Sequence, residues 1–274
     1  MAAFLLANAL LIAVFLTAAW LFATWRRDVS WIDPCWPAGF VLVAWHSALW
    51  HSASWNSAPW KSTATSGPIP AAALVMVSLV TLWGLRLNIY LTARKLEHAG
   101  EDYRYATMRQ HGGPGFWYRS LITIFYLQGA LLWVISLPVQ LAILRAGSSW
   151  NLPGWLGIAL WLIGFACEAI GDHQLRQFRR DANNRGRVLQ TGLWRYSRHP
   201  NYFGETCAWW GIYLLAVGID RSLAWTIISP LLITWLLLKI SGVSLLEKTI
   251  TDRRPEYAEY IRRTSPFIPW LPKK

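Results

Sequence analysis

The chain has 274 residues, of which 54% are apolar, only 15% are charged and 20 are tryptophan. A water-soluble domain of this size needs more charge to cover its surface, so the composition excludes an ordinary soluble protein. The net charge is +12, but no basic stretch alternates with exposed aromatic residues on a soluble face. We therefore predict membrane lipids as partners and no nucleic acid.

The apolar residues fall in long blocks, and blocks of roughly 18 or more residues are typical of helices that cross about 30 Å of hydrocarbon. The first block has no small-residue cleavage site followed by a polar mature chain, so we expect a true span. We therefore predict an all-α, polytopic membrane protein with about seven transmembrane helices. The seven predicted spans are Ala2–Thr24, Pro34–Trp50, Ile69–Ala93, Leu121–Leu144, Leu152–Gly171, Tyr202–Gly218 and Leu223–Leu238.

The distribution of lysine and arginine predicts the orientation of these spans. Twenty-two of the 26 lie in the loops after spans one, three and five and in the C-terminal tail, three lie on the opposite side, and Arg86 lies inside span three. Positive residues accumulate on the cytosolic side of membrane proteins, so we expect the N-terminus outside and the C-terminus in the cytosol. We predict a single membrane domain over residues 1–274, whose tail begins near Lys239.

Four charged residues follow one face of the predicted fifth helix. Glu168, Asp172, Arg176 and Arg179 are spaced at i, i+4, i+8 and i+11, so they stack along that face if the span continues as a helix. Acids and arginines near the membrane are costly unless they are paired or bound to a ligand. The alternative interpretation is a structural ladder of ion pairs.

A second polar segment opens the sixth span. His199–Asn201 places a proline at the first helical position, where it is tolerated, and leaves free backbone N–H groups that suit a phosphate. Arg195 and Arg198 flank this end and can clamp a phosphate in a two-pronged manner. Ordinary helix capping explains the proline and some of the arginines.

Capping does not explain Glu205 inside an apolar span. Asn201 and Glu205 lie one turn apart on one helix face and offer amide and carboxylate groups to ribose hydroxyls or an adenine edge. Together the two segments predict a binding site for a dinucleotide that carries several phosphates. The three cysteines have no metal-ligand spacing, and we predict no metal site.

The run Gly192-Leu-Trp-Arg-Tyr-Ser-Arg-His-Pro-Asn-Tyr-Phe-Gly-Glu205, preceded by Asp172-x-x-Leu-Arg-Gln-Phe-Arg179, resembles the cofactor half of the steroid 5-alpha-reductase superfamily. The similarity is greatest to its bacterial branch of uncharacterised membrane proteins. The tail up to Pro269 resembles the ending of the same family. The resemblance covers about Glu168 to Pro269 and is specific to the superfamily rather than to a substrate.

In that family the reductases bind NADPH in these cytosolic loops and reduce a carbon–carbon double bond next to a ketone. The chain lacks the glycine-rich strand–turn–helix element of a Rossmann fold, so the resemblance implies a different mode of NADPH binding. The residues implied to contact NADPH are Glu168, Asp172, Arg176, Arg179, Asn201, Tyr202 and Glu205, with Glu247 and Tyr257 in the tail, beside Arg195, Arg198 and His199 from the motif itself.

In the steroid reductases an acid and a tyrosine of the N-terminal half hold the substrate carbonyl. The corresponding candidates here are Asp33, just before the second span, and Tyr90 in the third, although the family's acid–tyrosine pattern does not match this chain cleanly. Both residues also have possible structural roles. Asp33 is also suited to capping a helix before proline, and Tyr90 to anchoring a helix at the membrane interface.

The sequence predicts an NADPH-dependent reductase of the bacterial inner membrane that acts on a lipid-soluble, steroid-like enone, with substrate-side helices in residues 1–150 and the NADPH half in residues 151–274. The alternative is an S-adenosylmethionine-dependent methyltransferase of the isoprenylcysteine or phospholipid type, which shares the Arg-His-Pro-x-Tyr-x-Gly motif. The arginines of Asp172–Arg180 favour the reductase, because the sulfonium cofactor carries no phosphate. A non-enzymatic lipid-binding or scaffold protein leaves the buried charges unexplained.

Overall fold

A computed structural model describes residues 1–56, 69–97, 100–147, 149–240 and 256–273. Within these ranges the chain is helical and forms no β-strand, apart from an isolated bridge between Ser197 and Ser265. The predicted all-α class of a multi-pass membrane protein is confirmed.

Eleven α-helices are described in these ranges. They are α1 Ala2–Trp25, α2 Ile32–Asn56, α3 Ala71–Glu97, α4 Tyr103–Gly112, α5 Phe116–Ser120, α6 Leu127–Ile135, α7 Leu137–Leu144, α8 Leu152–Arg180, α9 Pro200–Ile219, α10 Ile228–Trp235 and α11 Glu256–Arg263. Two π-helical segments, Leu121–Tyr126 and Leu236–Ile240, continue α5 into α6 and follow α10.

Five helical segments of the described chain are long and apolar enough to cross a membrane. They are Ala2–Trp25, Ala71–Glu97, Tyr103–Ile135, Leu152–Arg180 and Arg221–Ile240. The predicted second and sixth spans form α2 and α9, which have 25 and 20 residues but carry more polar side chains, among them Asp33 and Glu205. The count of about seven and the orientation stay predictions.

The predicted fourth span differs from the structure at both ends. The apolar helical segment begins at Tyr103 rather than Leu121 and ends at Ile135, and α7 starts separately at Leu137. Pro138 explains the break, because its ring cannot donate a backbone hydrogen bond and clashes with the preceding turn of a continuous helix. A proline in the first turn of α7 is tolerated.

The chain divides into two compact units. Unit 1 comprises Met1–Trp150 with Ile219–Leu223. Its helices share a buried polar network in which Asn8 Nδ2 donates to Gln140 Oε1 at 3.0 Å and to Ser47 Oγ at 3.3 Å. Such interhelical hydrogen bonds satisfy polar groups that lack water inside a membrane bundle.

Unit 2 comprises Asn151–Gly218 and Ala224–Lys274. Its two long helices, α8 and α9, run antiparallel and pack through glycines. A Cβ atom on Gly157 would lie 2.6 Å from Gly211 O, and one on Gly164 would lie 2.5 Å from Gly204 O. Small residues let helix backbones approach this closely in membranes. The glycines recur every seven residues on each helix: Gly157, Gly164 and Gly171 on α8, and Gly204, Gly211 and Gly218 on α9.

Candidate functional site

The polar end of α8 is the first part of the candidate site, in unit 2. Glu168 and Asp172 lie one turn apart and are only 2% and 4% exposed. Gly204 faces Glu168 so closely that a Cβ atom there would lie 2.5 Å from Glu168 N. Farther along α8, Arg176 is half-buried and Arg179 is exposed. The predicted stripe therefore runs from two buried acids to an arginine at the surface.

Asn201 connects the start of α9 to this stripe. Its Nδ2 donates a hydrogen bond to Asp172 Oδ1 at 3.0 Å. Its Oδ1 is buried and accepts no hydrogen bond within the described chain. A buried amide oxygen without a donor is costly and rare, which makes this atom a candidate acceptor for a ligand hydroxyl or amide. The structure thus brings together two of the predicted cofactor residues.

The loop before α9 is fixed to α8 by two hydrogen bonds. Leu193 N donates to Gln174 Oε1 at 3.0 Å, and Trp194 Nε1 donates to Gly171 O at 3.0 Å. Gly192 makes the turn with a φ of 61°, a left-handed conformation that favours glycine. This loop is therefore held in one position relative to Asp172.

Arg198 connects the same loop to the C-terminal tail. Its Nη1 donates to Ile261 O at 3.0 Å and to Thr264 O at 2.8 Å, at the end of α11. A cation at a helix C-terminus satisfies the last carbonyl groups and the helix dipole. Tyr260 supports the contact by donating to Trp194 O. The sequence predicted Arg198 as a phosphate ligand and did not predict this cap, because the two segments are distant in sequence.

The remaining predicted cofactor residues occupy varied environments. Arg195 is exposed, whereas Tyr202 and Glu205 are half-buried in the first turns of α9. His199 is buried and stacks on Tyr202, with ring centroids 5.6 Å apart. Tyr257 is buried beside Tyr260. Glu247 lies outside the described residues. The cofactor roles of all these residues stay predictions.

In unit 1, Asp33 lies in the first turn of α2 and both of its oxygens are bound. Tyr105 OH donates to Asp33 Oδ1 at 2.7 Å, and Arg104 Nη2 donates to Asp33 Oδ2 at 2.8 Å. The tyrosine that contacts Asp33 is thus Tyr105, a residue that sequence reasoning did not select. The only sequence signal was the acid- and tyrosine-rich run that begins at Glu101, 68 positions after Asp33.

Arg104 is held by a second acid. Asp102 caps α4 by accepting from Arg104 N at 3.0 Å, and it also accepts from Arg104 Nε at 2.9 Å. Burial opposes ionisation of Asp102, but the hydrogen bonds from Arg104 and the charges of Arg104 and Arg94 outweigh it, so its pKa lies below the usual value. Among the described residues, Nη1 of Arg104 makes no hydrogen bond.

Further ion pairs fix the surroundings of this cluster. Glu101 forms a two-pronged pair with Arg109 at 2.9 and 2.8 Å and accepts from Val29 N at 2.8 Å. Lys95, near the end of α3, pairs with Asp28. These contacts tie the α1–α2 connection to α3 and α4, so Asp33 lies in a rigid polar layer.

Tyr90, the other predicted catalytic residue, is half-buried on α3. Two residues before it, Asn88 Nδ2 donates to Pro34 O at 2.7 Å, which places this part of α3 against the start of α2. The catalytic role of Tyr90 stays a prediction. In the described part of the chain, no three His, Cys, Asp or Glu side chains converge as metal ligands do.

Comparison with known proteins places the chain in a family. Residues 19–264 match the family described as protein of unknown function DUF1295. The chain belongs to this family. An uncharacterized protein of Schizosaccharomyces pombe is 26% identical over 284 residues, which cover 92% of this chain and 76% of the relative.

Shorter matches connect the chain to steroid enzymes. The 3-oxo-5-alpha-steroid 4-dehydrogenase 1 of Bos taurus is 42% identical over 64 residues, and that of Homo sapiens is 38% identical over 65. These matches cover 23% and 24% of this chain and 25% of each relative. No solved structure matches. The predicted resemblance to the steroid 5-alpha-reductase superfamily is confirmed.

Proposed function

We propose that this protein is an NADPH-dependent membrane reductase that acts on a carbon–carbon double bond conjugated to a ketone in a lipid-soluble, steroid-like substrate. We further propose that it lies in the bacterial inner membrane with its C-terminus in the cytosol. The 22-to-3 distribution of basic residues supports this orientation. The observation that carries the proposal is the hydrogen bond between the buried Asp172 and Asn201, whose amide oxygen is buried and accepts no hydrogen bond within the described chain.

The donor and acceptor groups of unit 2 fit the chemistry of NADPH. Asn201 Oδ1 and the buried carboxylates of Glu168 and Asp172 are acceptors, and they suit ribose hydroxyls and the amide or amino groups of the bases. Arg179 and Arg195, at the surface, suit phosphates. When bound, NADPH supplies a hydride, while the protein supplies position and electrostatics.

The Asp33 cluster suits the carbonyl group of an enone. The carboxylate of Asp33 fixes the positions of the Tyr105 hydroxyl and the Arg104 guanidinium. Nη1 of Arg104 has donors available for the carbonyl oxygen, and its positive charge stabilises the negative charge that develops there. We therefore propose Arg104, positioned by Asp33 and by the Tyr105 hydroxyl that donates to Asp33, as the group that polarises the carbonyl, and Tyr90 as the competing candidate.

A dual-label incubation tests the reaction class. Detergent-purified protein is incubated with a 3-oxo-4-ene steroid and a lipid extract. Both cofactors are present: NADPH with deuterium at the transferred hydride position, and S-adenosylmethionine with a labelled methyl group. We expect deuterium on the carbon beta to the ketone of a reduced product, and no labelled methyl group. A labelled methyl group on a lipid, with no deuterated product, would show that the methyltransferase alternative is correct.

A further inference from the structure

The end of the C-terminal tail presents large apolar side chains to the outside of unit 2. Ile268, Trp270 and Leu271 are 61%, 73% and 74% exposed. We define these three residues as the tail patch. Apolar side chains of this size at neighbouring positions are unusual on a surface that faces only water.

The tail patch is held in place by its own backbone and by its neighbours. Trp270 N donates to Tyr196 O at 2.9 Å, and Lys273 N donates to Arg263 O at 2.9 Å. Ser197 Oγ donates to Phe267 O at 2.7 Å. The prolines at 266, 269 and 272 further restrict the backbone. The exposure is therefore a property of a fixed segment.

The tail packs against the start of α9. Phe267 packs against Phe203 in the first turn of α9, with ring centroids 5.8 Å apart. The loop that holds the tail is tied to the polar end of α8 through Trp194 and Gly171. Since α8 is long and apolar enough to cross a membrane, its polar end marks the level of the membrane surface.

The charges around the tail patch are mainly positive. Arg262 and Lys273 are exposed, and Arg263 is exposed beside its partner Glu259 at 3.3 Å. Arg195, next to the Tyr196 whose carbonyl accepts from Trp270 N, is also exposed. Apolar and aromatic side chains flanked by basic residues are typical of segments that lie in the interface of an anionic membrane.

We infer that the tail patch inserts into the headgroup region of the surrounding bilayer and that anionic lipids bind the basic residues beside it. Trp270 suits this depth because its ring is apolar and its N–H is polar. The insertion anchors the tail, and through Arg198 and Ser197 it anchors the loop that opens α9. This anchoring does not depend on the reaction that the protein catalyses.

Site-specific fluorescence tests the inference in the full chain. All three native cysteines are replaced by serine, and one new cysteine is then introduced for labelling with an environment-sensitive dye. The test variant carries Leu271→Cys, and the control carries Glu259→Cys at an exposed position of α11. The proteins are placed in nanodiscs of phosphatidylcholine with or without about 30 mol% phosphatidylserine. Quenching by a water-soluble quencher and by lipid-borne quenchers is measured. If the cysteine-free chain does not fold, a fluorescent amino acid incorporated at the same positions of the native chain replaces the dye.

We expect several-fold weaker aqueous quenching at 271 than at 259, and efficient quenching at 271 by quenchers at headgroup depth. Phosphatidylserine should increase the difference in aqueous quenching between positions 271 and 259. The double substitution Arg262→Gln and Lys273→Gln should reduce this effect of phosphatidylserine. Equal aqueous quenching at 271 and 259 in both lipid compositions would overturn the inference. Protection at 271 without lipid-borne quenching would also overturn it, because the patch would then be covered by protein.

Discussion

The Tyr105 hydroxyl donates a 2.7 Å hydrogen bond to Oδ1 of Asp33, while Arg104 occupies the other oxygen of the same carboxylate at 2.8 Å. If this cluster polarises the carbonyl through Arg104, Arg104→Met should lower enone turnover by on the order of a hundredfold, the usual effect of removing one donor to a developing oxyanion. NADPH affinity should not change. The matched variant is Tyr90→Phe, and steady-state kinetics and NADPH titration are the measurements. Loss of turnover in Tyr90→Phe but not in Arg104→Met would favour Tyr90.

Arg179 gives the second prediction, which concerns the cofactor. Arg179→Ala should weaken NADPH binding by roughly 1.5–3 kcal/mol, the contribution of one charged hydrogen bond. The effect on NADH should be smaller if the guanidinium contacts the additional phosphate of NADPH. Arg185→Ala, at an exposed position in the loop that follows α8, is the control. Isothermal titration of both nucleotides measures the change, and equal affinities for NADPH in all three proteins would remove Arg179 from the site.

The glycine contact between α8 and α9 gives a prediction about stability. A Cβ atom on Gly211 would lie 2.5 Å from Gly157 O and 2.7 Å from Trp161 N, both backbone atoms of the facing helix. Gly211→Ala should therefore separate the helices and destabilise the protein by about 1–3 kcal/mol, the usual cost of overpacking. Gly147→Ala, where a Cβ atom would meet nothing within 4 Å, should have little effect. Thermal unfolding in detergent compares the two, and equal melting temperatures would contradict the close packing.

Much of the fold was predictable because it depends on local composition. Long apolar blocks indicated membrane helices, and the i, i+4 spacing of Glu168 and Asp172 indicated that they share a buried face, as they do. Apolar composition does not reveal the break at Ser136, because it continues through this position, although Pro138 is a signal. The contacts of Asp33 with Tyr105 and of Arg198 with Ile261 depend on tertiary packing over 72 and 63 positions, which no local pattern encodes.

Arg198 provides a test that separates a structural role from a cofactor role. Arg198→Ala removes the donors to Ile261 O and Thr264 O and leaves these carbonyl groups without that cation. The tail should then detach more often, and limited proteolysis between residues 256 and 273 should become faster. Arg195→Ala, an exposed arginine in the same loop, is the control. If Arg198→Ala weakens NADPH binding without any change in proteolysis, the guanidinium acts on the cofactor rather than on the tail.

Cofactor choice tests the central claim most directly. The measurement is the shift in melting temperature of detergent-purified protein with NADPH and, separately, with S-adenosylmethionine. A ligand at about 100 times its Kd stabilises the folded state by about 2.7 kcal/mol, which is readily detected. We expect NADPH to raise the melting temperature, Asp172→Asn to lose most of that shift, and S-adenosylmethionine to have no effect. A rise with S-adenosylmethionine and none with NADPH would contradict the assignment of this protein as a reductase.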